Sequence, residues 1–242
     1  MVENLVKVDM SVTKYVFGDY TEALLDFYIA YFNEIKKANS LDGTPEMDRI
    51  LVELEIESSV RLGYLVAERK PSFYTEVGCG LGIPSLTLAK LGFDGAAFDI
   101  NPNLINFGKR LARELRLFMR YTVVDADYWT PSVPDTFIIA EKPRHKNDET
   151  QDMEKRVLDI AIGGGYSLAM VPYLWDSERG DNLIFSRTVL YKSVVEKCRL
   201  YSSRLEQHGY KTHTFDMLPV TVGSLDVVFF QAVIAEKSKD VR

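Results

Sequence analysis

The sequence predicts an α/β protein built on a doubly wound, mostly parallel sheet, and three observations carry that prediction. From Ser72 onward, short apolar runs alternate with amphipathic runs of helical length. A glycine-rich turn, "EVGCGLG" from Glu76 to Gly82, stands between the first apolar run and the first helical one. The chain closes on "YKTHTFDML" and "LDVVFFQAVIAEK", two strand-like runs joined by a turn containing Gly223. With no helix between them, they predict an antiparallel hairpin at one edge.

Taken in order, residues 2–17 hold short β-branched pieces and give no firm assignment. Asp19 followed by Glu22 resembles a capping signature. Behind it, Leu24, Phe27, Tyr28, Tyr31, Phe32 and Ile35 recur at helical spacing up to a Lys-Lys pair suited to a helix C-terminus. Thr44-Pro45 reads as N-cap and first position of a long helix that Pro71 stops by Arg69. "FYTEV" is a strand, "IPSLTLAKLG" a helix closed by Gly92, and "GAAFDI" a strand. Asn101-Pro102 caps a helix through "NLINFGKRLARELRL". "MRYTVVD", "TFIIAE" and "YSLAMVPY" are strands; "DETQDMEKRVLDIAI" and roughly Phe185 to His208 are helices. The chain divides into an N-terminal helical cap, 1–71, and a doubly wound α/β domain, 72–242.

Composition narrows the class. A net charge of −6 disfavours tight nucleic-acid binding, which draws on a basic surface. Cys79 and Cys198 have no zinc-type spacing, and two free thiols fit a reducing cytoplasm, the expected location. No apolar segment follows a basic start, and none approaches membrane-spanning length, so neither a signal peptide nor a membrane partner is expected.

The glycines Gly78, Gly80 and Gly82 give the backbone freedom to turn tightly and approach a ligand. The dinucleotide fingerprint G-x-G-x-x-G is not met, since the third glycine comes one residue early. Glu76 also suits a pyrophosphate badly, whereas a ligand with an ammonium and a sulfonium, such as S-adenosylmethionine, would favour a carboxylate there.

At this point the chain resembles the class I, Rossmann-like S-adenosylmethionine-dependent methyltransferases. "EVGCGLG" follows that family's E/D-x-G-x-G-x-G motif. Asp99 in "AFDINP" lies 21 residues after Gly78, where the family holds both ribose hydroxyls. Asp125-Ala126 in "VVDADYW" falls where it contacts adenine, and the terminal hairpin matches its last two strands. The resemblance implies a seven-stranded sheet of order 3-2-1-4-5-7-6 with the last strand antiparallel. It implies S-adenosyl-L-methionine as cofactor, bound by Glu76, Gly78, Gly80, Gly82, Asp99, Ile100 (on the adenine face), Asp125 and Ala126. Asp125 fits the cap of a turn as well.

Acceptor chemistry is expected after the fourth strand, in "FIIAEKPRHKNDE". Glu141 is placed to meet the amino end of the cofactor and His145 to act as a base; a solvated charged loop is the alternative. The segment is not the N-P-P-[YF] type of enzymes that methylate planar amino nitrogens, which disfavours DNA and RNA. Only one candidate carboxylate appears where catechol-type enzymes hold a metal, so no metal is expected. Tyr28, Tyr31 and Phe32 line either a pocket or plain core, and Tyr173, Trp175 and Asp176 fall at the active edge. The expected activity is metal-independent in-line methyl transfer to oxygen or nitrogen of a small molecule or protein side chain. An aminopropyl- or aminocarboxypropyl-transferase, or a non-catalytic cofactor-binding protein, are the alternatives, and a homodimer stays open.

Overall fold

The computed structural model describes residues 8–38, 45–141, 150–172, 187–216, 219–222, 225–228 and 231–237. Among these residues nine strands run in chain order: β1 (Tyr74–Val77), β2 (Gly95–Asp99), β3 (Arg120–Val123), β4 (Phe137–Glu141), β5 (Ser167–Val171), β6 (Tyr210–Asp216), β7 (Pro219–Val222), β8 (Leu225–Val228) and β9 (Gln231–Lys237). Seven form one sheet of order β3-β2-β1-β4-β5-β9-β6. The first five are parallel neighbours, and β9 inserts antiparallel between β5 and β6. Numbered within the sheet, this is the 3-2-1-4-5-7-6 order with an antiparallel seventh strand.

The central strands are buried on both faces, as a parallel sheet between helices must be. Their side chains alternate cleanly. Phe137 and Ile139 of β4, Ala169 and Val171 of β5, and Ala232 and Ile234 of β9 share one core with Leu62, Val66, Tyr74 and Leu88. The residues between them, Ile138, Ala140, Leu168, Met170, Val233 and Ala235, pack on the other face with Met153, Val157, Val194 and Cys198. The first face carries helices α3 (Pro45–Ala67) and α4 (Ile83–Lys90), and the second carries α6 (Thr150–Gly164) and α7 (Arg187–Gln207). Helix α5 (Pro102–Glu114) follows β2 and begins as expected: Asn101 is its N-cap, its side chain accepting from Asn103 N, with Pro102 at the first position.

Two readings need correction. Asp19 does not cap the second helix. Residues 11–17, unassigned from the sequence, form helix α1 (Ser11–Phe17), which Gly18 ends at φ 56°. A 3-10 turn, Gly18–Tyr20, leads into α2 (Thr21–Ala38), and Thr21 Oγ1 donates to Gly18 O at 2.8 Å. A reversal that needs left-handed backbone settles at the glycine, so Asp19 falls inside the turn. The run "LDVVFFQAVIAEK" is not one strand either. Its first part, β8, pairs antiparallel with β7 as a separate hairpin, and only β9 joins the main sheet. Strand propensity marks both as extended and does not say which partner each takes.

The N-terminal helices are fixed by buried polar contacts as well as apolar ones. Glu57 of α3 is fully buried, and its Oε2 accepts from Thr13 N at 3.1 Å and from Thr13 Oγ1 at 2.6 Å. Arg61 Nε donates to its other oxygen at 3.2 Å, completing a set that locks α1 to α3. Between α3 and α4 the backbone itself approaches. A Cβ added at Gly63 would lie 2.7 Å from Thr87 Cβ and 2.9 Å from Pro84 O. This contact seats the helix that follows the glycine loop. We expect Gly63→Val to destabilise the protein by about 2–3 kcal/mol through overpacking, read as a lower urea midpoint; an unchanged midpoint contradicts this crossing.

Candidate functional site

The C-terminal ends of β1, β2 and β4 converge with the glycine loop, and each of those strands delivers a carboxylate. On β1, Tyr74 and Glu76 point to the α4 side of the sheet, where both grip Ser85. Tyr74 OH donates to Ser85 O at 2.9 Å. Ser85 N and Oγ donate to Glu76 Oε2 at 3.0 Å and 2.5 Å. Glu76 is 1% exposed, and its second oxygen, Oε1, is buried with no hydrogen-bond partner among the described residues. Burial pushes this carboxyl up to about 8; the Ser85 hydrogen bonds pull it down, and the Glu141 and Asp99 charges add to the rise. A neutral carboxyl at this site becomes charged when pH rises through that value, or at lower pH when a positive group compensates it.

The loop itself is left-handed at all three glycines, with φ 64° at Gly78, 56° at Gly80 and 72° at Gly82. A Cβ added at Gly78 or Gly80 would meet no atom of the described residues within 4 Å. These two residues therefore present bare backbone to open space, the arrangement a close-lying ligand uses. Gly82 differs: its Cβ would lie 2.8 Å from the Tyr121 hydroxyl, so this glycine is required by packing. Cys79, between them, is buried, and burial pushes its thiol well above its ordinary value, so it is not a thiolate nucleophile.

At the end of β2, Asp99 Oδ2 accepts from Gly80 N and Oδ1 accepts from Asn101 N, both at 2.8 Å. Two backbone donors fix the carboxylate beside the loop, and each oxygen keeps a further lone pair for a ligand hydroxyl. Ile100, next in the chain, is 48% exposed, a large apolar side chain at the rim. Val124 N donates to Asp99 O at 3.0 Å, bringing the β3 end alongside. There Asp125 begins a 3-10 turn, its Oδ1 accepting from Asp127 N at 3.0 Å, so it serves as the turn cap. Ala126 is half-buried in that turn, and its carbonyl accepts from Arg156 Nε at 3.1 Å.

On β4, Glu141 faces helix α3, and Ser59 Oγ donates to its Oε1 at 2.8 Å. Glu141 lies close enough to Glu76 to raise it electrostatically. Tyr28 of α2 is half-buried in the same region, packed with the core that includes Cys79 and Leu104. Its phenol is raised well above its ordinary value, by burial first and then by Glu55, Glu141 and Glu76. Tyr31 and Phe32 pack against the same core. His145, Lys142, Arg144, Tyr173, Trp175 and Asp176 lie outside the described residues.

The structure thus brings Glu76, Gly78, Gly80, Asp99, Ile100 and Glu141 to one edge of the sheet. Sequence reasoning missed Ser85, Ser59 and Tyr121, each of which meets the site through a partner distant in the chain. Among the described residues no three His, Cys, Asp or Glu side chains gather as a metal site, and no helix is long and apolar enough to cross a membrane.

No protein-family model and no curated protein matches the chain by sequence. Solved structures match by shape. Magnesium protoporphyrin IX methyltransferase from Synechocystis PCC 6803, with bound SAH, has TM-score 0.55 at 15% identity, covering 91% of this chain and 100% of that one. The same enzyme with bound SAM has TM-score 0.53 at 14% identity, covering 97% and 100%. Mitomycin 7-O-methyltransferase has TM-score 0.50 at 14% identity, covering 80% and 57%. The chain has the class I methyltransferase fold.

One test of the site needs no ligand. The folded value of Glu76, about 8, lies above its ordinary value of 4.5. Its contribution to stability is therefore complete below about pH 4.5 and is lost as pH rises through 8. Glu76→Gln cannot ionise, so its melting temperature should rise relative to the unchanged protein between pH 5 and pH 9. A difference independent of pH contradicts a buried, neutral carboxyl.

Proposed function

We propose that this protein is an S-adenosylmethionine-dependent methyltransferase that acts on oxygen or nitrogen of a small molecule or a protein side chain. One observation carries the reading. Bare backbone at Gly78 and Gly80 borders open space between a fixed carboxylate, Asp99, and a buried carboxyl, Glu76, that keeps one oxygen unpartnered among the described residues. That arrangement suits a ligand with vicinal hydroxyls at one end and positive charge at the other.

The residues divide the work along the ligand. Asp99 accepts from the two ribose hydroxyls, and Ile100 covers one face of the adenine. Gly78 and Gly80 let the chain pass close to the ligand's middle. Glu76 meets the ammonium end, with Glu141 beside it. Asp125 and Ala126 bound the adenine pocket through the backbone of their turn, the Asp125 side chain being used in the turn itself. When bound, the cofactor supplies an electrophilic methyl group on sulfur, so the protein's task is alignment and exclusion of water. Where an acceptor must lose a proton, His145 is the base.

Asp99 gives the sharpest test. Calorimetry should show binding of S-adenosylhomocysteine that NAD does not displace. Asp99→Ala should weaken it roughly 10- to 100-fold, the loss of hydrogen bonds to a charged acceptor worth about 1.5–3 kcal/mol. Binding that is absent in the unchanged protein, or intact in Asp99→Ala, overturns this reading. Methyl-labelled S-adenosylmethionine then reports transfer: label on an acceptor marks a methyltransferase, and label retained in methylthioadenosine marks an aminocarboxypropyl transfer.

A further inference from the structure

The glycine loop is held from beneath by a side chain that no motif marks. Tyr121 lies in β3, which among the described residues pairs only with β2, at the edge of the sheet. Its ring is buried and turns toward α4 and α5, where two glycines make room for it. An added Cβ at Gly82 would lie 2.8 Å from the Tyr121 hydroxyl and 2.9 Å from its Cε1. An added Cβ at Gly108 of α5 would lie 2.9 Å from Tyr121 Cζ and 2.8 Å from Leu81 O. The ring thus fills a slot whose walls are the loop and the helix after β2.

The hydroxyl adds a directional hold. Tyr121 OH donates to Leu81 O at 2.9 Å, a carbonyl inside the loop between Gly80 and Gly82. Burial keeps the phenol well above its ordinary value, so it remains a neutral donor. The other loop contacts agree with this one. Cys79 N donates to Phe98 O at 2.9 Å, Gly80 N donates to Asp99 Oδ2, and Gly82 N donates back to Cys79 O at 2.7 Å. Leu81 is fully buried. Cys79 Sγ also reaches a loop carbonyl, Gly80 O at 3.6 Å, but from within the loop, whereas Tyr121 holds Leu81 O from another strand, one residue before the left-handed Gly82 that caps α4.

We propose that Tyr121 is a positioning residue: its phenol clamps Leu81 O and thereby holds Gly78, Gly80 and Asp99 in the arrangement that receives the ligand. The inference rests on the methyltransferase reading only for the choice of binding probe. In Tyr121→Phe the ring still fills the slot between Gly82 and Gly108, and only the donor to Leu81 O is gone.

The test compares the full chain and Tyr121→Phe by hydrogen–deuterium exchange without ligand, and by calorimetry with S-adenosylhomocysteine. Exchange in a peptide spanning Val77–Ile83 should rise roughly fivefold to tenfold, the loss of one hydrogen bond. Peptides from β5 and β9 should exchange as before, and affinity for S-adenosylhomocysteine should fall by a similar factor. Unchanged loop exchange overturns the proposal, as does a rise shared equally by β5 and β9, or a loosened loop with undiminished affinity. If the unchanged protein does not bind S-adenosylhomocysteine at all, the functional reading falls, and the loop exchange alone decides whether Tyr121 holds the loop.

Discussion

A single buried carboxyl group ties this fold to its ligand space. Glu76 sits at the end of the central strand, 1% exposed, and holds the first turn of α4 through both the amide and the hydroxyl of Ser85. That pairing fixes where the helix begins, and with it the glycine loop that joins strand to helix. The same burial makes ionisation costly, because half of the carboxyl finds no donor among the described residues. A bound positive charge would relieve that cost. One oxygen is structural, and under the proposed function the other would meet the ligand's positive charge.

The rest of the site is arranged around that loop with little freedom. Asp99 reaches back to the amide of Gly80, so the end of β2 and the loop behave as one piece. Helix α3 closes the other side, with Ser59 on Glu141 and Gly63 against Thr87. Through Glu57 it also carries α1, and its apolar face shares the core beneath the sheet. The three loop glycines serve two different needs. Gly78 and Gly80 leave space open, whereas Gly82 yields space to Tyr121. Preorganisation of this kind costs folding energy where the left-handed backbone is formed, and lowers the ordering that binding would otherwise require.

How far the sequence could be read follows from the range of each signal. Alternation along β4, β5 and β9 and the spacing of the loop glycines are local, so the strands and the glycine turn were legible, whereas the sheet order, which the structure shows, was implied only by the family resemblance. Asn101-Pro102 carried its own capping chemistry and was equally plain. Asp19 misled because the capping pattern it resembles competes with a glycine one residue earlier, and the glycine decided the reversal. The split of the final run into β8 and β9 depends on which strand each meets, and that is not written in its residues. Ser85, Ser59, Gly63, Gly108 and Tyr121 matter only through partners far along the chain. Ser85 is the nearest case: a glutamate nine residues before a helical serine has meaning only once the strand and helix are folded together.

The central claim is that Glu76 is neutral in the free protein and charged in the complex. Calorimetry of S-adenosylmethionine binding at pH 7, in buffers of different ionisation enthalpy, measures the protons exchanged. With the free carboxyl near 8, binding should release close to one proton per protein, and Glu76→Gln should release none. Binding without proton release, or the same release in Glu76→Gln, would contradict the account.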